Sequence, residues 1–368
     1  MYKKIHLDAP NIGGLEKKYL NKAIDSGYVS TIGPYVSNFE EKFARYLGVK
    51  NAVSTQSGTS AIHIALYELG IGEGDEVIVP ALTFIATVNP VTYLGANPVF
   101  VDVDIKTWNI SPEEIRKKIT KRTKAIIPVH FYGNPCNMDE IMKIARKYNI
   151  YVVEDATESL GARFKGIYAG TFGDLGCFSF NGNKIITTGG GGMVVGNNEK
   201  RLNHIKFLVN QARDESRDYF YPEIGFNYRM TNIEAAFGLA QMKRVNEFLA
   251  KKRRFNVIYR NELKRIKNIR FQEEYEGAYS SFWLICVTFE EKVNIKALVR
   301  KLSDKGISTR RVFMPVTELP PYKKYKRVVY KNSYYIYEKS LCLPSSTLNS
   351  ENDIHFVCSA IKKIIKGI

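Results

Sequence analysis

The sequence predicts an α/β protein, a mostly parallel central sheet covered by helices and followed by a smaller C-terminal α+β domain. Three observations carry this. Between about residues 50 and 200, short apolar runs alternate with helical patterns, as in parallel strands joined by crossover helices. Near residue 231 the alternation gives way to a long helical pattern and then to separate strand and helix segments. The length, 368 residues, suits two domains. We place the boundary at about residue 240, giving a large domain over 1–240 and a small one over 241–368.

Taken in order, the runs at 77–80, 98–103, 125–131, 151–155 and 177–180 are short and largely apolar, like strands buried on both faces. The stretch 139–148 between two of them is helical in pattern. Ligands bind such sheets beyond the carboxyl ends of the strands, so chemistry-bearing side chains are expected there. Thr231 and Glu234 have capping-box spacing, and a helical pattern follows through Phe237, Ala240, Val245 and Phe248. Residues 281–289 read as a strand, 295–302 as a helix and 353–365 as an amphipathic helix.

Composition narrows the class. An apolar fraction of 45% and an aromatic fraction of 12% exclude disordered and fibrous chains. No apolar run approaches a bilayer span and no signal peptide is readable at the start, so a soluble cytoplasmic protein is expected, with no membrane partner. The net charge of +17 fits either a polyanion or an anionic small substrate. The basic stretch from Lys243 to Arg270 motivates a nucleic-acid-binding alternative, but no zinc finger, RNA-recognition signature or zipper seam accompanies it. Charge on such a helical pattern reads as a solvated face. Cys136, Cys177, Cys286, Cys342 and Cys358 are odd in number and lack a CxxC pair, so free thiols and no metal site are expected.

Three constellations could carry chemistry. Ser57-Gly58-Thr59-Ser60 opens a helical pattern, and small hydroxylated residues at a helix start make an anion site or a simple cap. Glu154-Asp155 closes an apolar strand at the sheet's functional edge. There a carboxylate can hold a metal, contact a ribose or pair with a protonated ring nitrogen, unless it is merely solvated. Lys184 stands between the strand 177–180 and the run Gly189-Gly-Gly-Gly192. In such crowded surroundings a lysine gains orientation and a depressed pKa, which suit Schiff-base chemistry; a surface turn is the plain alternative. The glycines match neither GxGxxG nor a P-loop. Together, a phosphate-ready helix start, an Asp at a strand end and a Lys beyond the next strand are the contacts pyridoxal 5'-phosphate needs.

With those residues in view, the chain resembles the DegT/DnrJ/StrS family of pyridoxal-phosphate-dependent nucleotide-sugar aminotransferases. The matching segments are Ser57-Gly-Thr-Ser-Ala, Pro80-Ala-Leu-Thr-Phe-Ile-Ala-Thr-Val-Asn-Pro, Pro128-Val-His-Phe-Tyr-Gly, Glu154-Asp-Ala, Gly173-Asp-Leu-Gly-Cys-Phe-Ser-Phe and Gly225-Phe-Asn-Tyr-Arg-Met-Thr-Asn. The resemblance implies a type I aminotransferase fold and a homodimer with shared active sites. It implies Lys184 as the cofactor lysine and proton carrier, Asp155 as partner of the ring nitrogen and Phe84 as the stacking ring. Thr59, Ser60 and Ser179 would bind the phosphate, with Asn227 reaching it from the partner subunit. Glu158 falls near the ring hydroxyl, where many relatives have Gln or His.

The resemblance also implies L-glutamate as donor and a nucleotide-linked 4-keto-6-deoxy sugar as acceptor, for surface glycan synthesis. The turn Asn181-Gly-Asn-Lys184 and the segment 27–36 look like the branch acting on UDP-4-keto-6-deoxy-N-acetylhexosamines of bacillosamine and legionaminic acid synthesis. The alternative is an enzyme of the perosamine type acting on GDP-4-keto-6-deoxymannose. Arg229 and Asn181 are the substrate-site candidates, with Arg310 and Arg311 behind them.

Overall fold

A computed structural model describes residues 3–366 apart from 265, 267, 268, 291, 292 and 327. The first sheet is built from β1 (Asn51–Thr55), β2 (Glu76–Pro80), β3 (Asn97–Val101), β4 (Thr123–Ile126) and β5 (Tyr151–Asp155). A small hairpin, β6 (Arg163–Phe164) and β7 (Ile167–Tyr168), precedes its last two strands, β8 (Leu175–Ser179) and β9 (Gly192–Gly196). The strand order is β1-β9-β8-β5-β4-β2-β3. From β3 across to β8 every pairing is parallel, whereas β9 runs antiparallel to both of its neighbours. The exception has a simple cause: no crossover helix lies between β8 and β9, and without one a chain must turn back on itself.

Helices α1 (Gly14–Asp25), α2 (Pro34–Leu47), α3 (Gly58–Glu68), α4 (Ile85–Tyr93), α5 (Pro112–Lys118), α6 (Met138–Tyr148), α7 (Glu199–Leu208) and α8 (Asn232–Met242) accompany this sheet. Strand β2 shows why its sequence is apolar throughout. Val77 and Val79 join one core with Ile64, Leu66 and Leu202, while Ile78 joins another with Ile126, Val152 and Ile141. Alternate side chains thus feed two buried faces.

The remaining elements are α9 (Val245–Leu263), β10 (Ile269–Phe271), β11 (Ala278–Tyr279), β12 (Ile285–Phe289), α10 (Ile295–Ser303), β13 (Arg310–Arg311), α11 (Lys331–Lys339), β14 (Ser340–Leu343) and α12 (Glu351–Lys366). Strands β10-β12-β14-β13 form an antiparallel sheet, and Phe255, Tyr259, Val287, Leu298 and Ile361 share a core beside it. The chain's start belongs here too, since Ile5 bridges Ile307 and sits in that core. We keep the division at about residue 240 as a proposal, with the first described residues packing against the second sheet.

Two expectations are corrected. The helical pattern from Thr231 is capped as expected, Thr231 N donating to Glu234 Oε2 at 2.8 Å. It breaks, however, at Arg244, which takes φ −111° and ψ 0° while its guanidinium reaches Asn11 and Glu247. The basic run is also not simply a solvated face. Lys252 is buried, its Nζ donating to the carbonyls of Trp283 and Ser345 at 3.0 and 2.7 Å. Lys251 donates to Thr347 O, Arg253 to Ser280 O and Arg260 to Gln272 O. These cations tie α9 to the loops around it.

Candidate active site

The site grows from strand ends and turns. After β1, Ser57 caps α3 from an extended conformation, φ −163°. Its Oγ accepts from Ser60 N at 3.0 Å, and Ser60 Oγ accepts from Ser57 N at 2.9 Å. Ser57, Gly58 and Thr59 line a cavity of about 340 Å³, with Ser179 from the end of β8 beside them. A side chain at Gly58 would place Cβ 2.8 Å from Ser179 Cβ and 2.9 Å from Thr157 Cγ2, so the close approach needs glycine. Ser60 does not line the cavity. Its hydroxyl takes part in the cap, donating to Ser57 O as well, and its phosphate role stays a proposal.

Asp155 ends β5 and lines the same cavity. Thr87 Oγ1 donates to its Oδ2 at 2.7 Å, and Thr157 donates to its Oδ1 from Oγ1 at 2.7 Å and from N at 3.1 Å. Its neighbour Glu154 is turned the opposite way, as strand alternation requires. Glu154 is fully buried, accepting from Gly170, Phe172 and Gly173 N–H and bonded to His130 Nε2 at 2.9 Å. One carboxylate of the pair holds a turn together and the other faces the cavity.

Lys184 sits in the turn between β8 and β9. Its Nζ lies 4.0 Å from Glu158 Oε1 and 3.9 Å from the centroid of the Trp283 ring. Burial lowers its pKa, with Glu158 and Asp155 opposing and Arg310 reinforcing. Burial likewise pushes Glu158 up to about 7, against Lys184 and the Tyr132 N–H that donates to Oε2 at 2.9 Å. The glycine run has a structural reason: Gly191 bridges Ser57, and at Gly192 a Cβ would meet Ser57 O at 2.4 Å. The glycines bring the lysine turn against the start of α3.

Phe84 lines the cavity, half exposed, with Phe313 5.2 Å away ring to ring. Asn181 lines it too, as does Arg310, whose Nη1 is 3.5 Å from Asp8 Oδ2 and whose Nε and Nη2 are buried without a hydrogen-bond partner among the described residues. Arg311 turns away onto Tyr337. Asn227 is exposed and outside this cavity. Arg229 lines a separate and larger one, about 720 Å³, with Thr31, Val36 and Arg213. Among the residues that sequence reasoning missed are Thr87, Trp283 and Phe313, which line the cavity, and Tyr132, whose N–H holds Glu158. Thr87 lies inside a matched segment, in helical register with Thr83, to which it bonds at 2.8 Å. Trp283 lies in a stretch that reads only as a strand.

The donor set fits pyridoxal phosphate. Hydroxyls and a helix start suit the phosphate, a carboxylate steadied by two threonines suits a protonated ring nitrogen, and the lysine suits the aldehyde. Comparison with known proteins agrees. The chain is 41% identical over 362 residues to GDP-perosamine synthase of Escherichia coli O157:H7, covering 98% of both. It is 41% identical over 366 residues to GDP-perosamine synthase of Caulobacter vibrioides, again covering 98% of both. It superposes on Spr1654 of Streptococcus pneumoniae, solved in its PLP-form, with a TM-score of 0.94 at 25% identity over 99% of both chains. The family model for DegT/DnrJ/EryC1/StrS aminotransferases matches residues 10–362. The chain therefore belongs to the DegT/DnrJ/EryC1/StrS aminotransferase family and is a pyridoxal-phosphate-dependent sugar aminotransferase.

Proposed function

We propose that this enzyme moves the amino group of L-glutamate to C4 of GDP-4-keto-6-deoxymannose, as an enzyme of the perosamine type. The observation that carries this is the full-length likeness to two GDP-perosamine synthases. It displaces the UDP-linked N-acetylhexosamine reading, which rests on the short segments 181–184 and 27–36. Asn181 and Asn183 bond each other across that turn, at 3.3 Å, so their presence does not by itself argue for one nucleotide.

The bound cofactor supplies an electron sink that eases removal of a proton from carbon. Asp155, fixed by Thr87 and Thr157, would accept the hydrogen bond of the protonated ring nitrogen. Thr59 and Ser179, with Ser57 at the helix start, would bind the phosphate, and Phe84 would pack on the ring. Lys184 Nζ takes the proton from one carbon and returns it to another; its burial favours the neutral amine that this requires. Glu158, holding a proton up to about pH 7, stands beside that nitrogen and would face the ring hydroxyl.

We propose further that two copies complete each other's sites. Tyr28, Val29 and Ile32 on one segment and Tyr219, Phe220, Tyr221 and Ile224 on another are exposed. Both segments border the cavity that holds Arg229. Such a cluster of apolar side chains is a face awaiting a partner, and a second copy seated there would explain why Asn227 and Arg229 stand apart from their own chain's Lys184. The function is tested by measuring kcat/KM with glutamate and GDP-, UDP- and dTDP-linked 4-keto-6-deoxy sugars. A preference for the GDP sugar is expected; a clear preference for a UDP sugar would overturn the assignment.

A further inference from the structure

We propose that Trp283 is a positioning residue for Lys184, its indole face holding the lysine ammonium whenever that side chain is not bonded to the cofactor. The inference rests on Lys184 being the cofactor lysine. Trp283 is 2% exposed, and Lys184 Nζ lies 3.9 Å from its ring centroid, well within the range of a cation over an aromatic face. The indole N–H donates to Asn183 O at 2.6 Å. One side chain thus fixes both the backbone leading into Lys184 and the surface on which its nitrogen rests.

The surroundings hold Trp283 firmly. Lys252 donates from within the core to its carbonyl at 3.0 Å and to Ser345 O at 2.7 Å. Gly133, at φ 95°, lies so close that a Cβ there would be 2.8 Å from Trp283 N. The preceding Phe282 takes φ 49°, a conformation that a bulky residue adopts only when its surroundings force it. A tryptophan needed only for packing requires neither this kink nor contact with a buried amine. The charged groups that act on Lys184 are Glu158, Asp155, Arg310 and Asp8, and the ring adds a neutral face that favours the ammonium.

The test uses holoenzyme converted by glutamate to its amine-loaded form, in which Lys184 is free. Competitive acetylation with acetic anhydride across a pH series, read by peptide mass spectrometry, gives the titration midpoint of Lys184 alone. Trp283→Leu should lower that midpoint by on the order of one pH unit, because the ammonium loses its aromatic face, and lower kcat with KM for both substrates nearly unchanged, because the neutral amine loses the surface that positions it. Trp283→Phe should restore at least half of the shift. Lys252→Met, which releases the tryptophan's carbonyl, should move the midpoint in the same direction and serves if the leucine variant does not fold. A midpoint equal to wild type in the folded variants overturns the proposal, as does failure of phenylalanine to restore it. Borohydride reduction of each yellow holoenzyme separates the two ideas. A tag on another lysine removes the Lys184 assignment itself; a tag on Lys184 with an unmoved midpoint removes only the role of Trp283.

Discussion

Glu154 and Asp155 are adjacent in the chain and opposite in use. The first is committed to three backbone N–H groups and His130, the second to the cavity. Strand alternation alone decides which is which. Asp155→Asn keeps the shape and removes the charge that partners the ring nitrogen, so steady-state assays should show kcat lower by roughly 100- to 1000-fold, with cofactor still bound. Glu158 gives a pH prediction. Its folded pKa of about 7 lies above the ordinary 4.5, so the native state keeps a proton that the unfolded chain loses. Stability is therefore lost as pH rises between those values. Relative to wild type, Glu158→Gln should gain about 3 kcal/mol across that interval in denaturant titrations; a gap independent of pH would show the carboxyl to be ionised throughout. That Asp155, Lys184 and Thr59 gather at one cavity was legible in the sequence, because strand ends and helix starts are local features. Trp283 and Tyr132 were not, because each reaches the site through contacts between distant segments.

The turn from β1 into α3 and the passage of β9 beside it form one device. Gly58 and Gly192 let two backbones and the lysine turn meet without Cβ atoms between them. Gly58→Ala should push Ser179 and Thr157 apart, costing roughly 1–3 kcal/mol of stability and weakening retention of the cofactor during dialysis. Unchanged retention would mean that the helix start does not hold the phosphate. The parallel strands were readable from their apolar runs, because burial on both faces leaves few places for polar residues, and those present, such as Glu154 and Asp155, are hydrogen-bonded. The break between α8 and α9 was not, since a single arginine bonded to Asn11 ends the one helix and no glycine or proline marks it.

At the scale of the whole molecule, part of the basic stretch behind the charge of +17 is used inside the fold. Lys251, Lys252, Arg253 and Arg260 are engaged with backbone carbonyls, and Arg254 pairs with Glu351 at 3.0 Å. Among the described residues no helix is long and apolar enough to cross a membrane. The apolar face around residues 28–32 and 219–224 gives a prediction about assembly. Ile32 and Ile224 are 70% and 74% exposed, and Ile32→Asp with Ile224→Asp should convert a dimer to a monomer in sedimentation, with loss of turnover. A wild-type monomer of full activity would remove the shared site.

The central claim, that Lys184 and Asp155 with the α3 cradle make an amino-transfer site, is tested most directly by the half-reaction. Yellow holoenzyme is mixed with excess L-glutamate and no sugar acceptor, and 2-oxoglutarate is counted. Bleaching of the yellow colour and release of one 2-oxoglutarate per chain are expected from the wild type, and neither from Lys184→Ala. Wild-type protein that releases none, or a variant that matches it, would contradict the account.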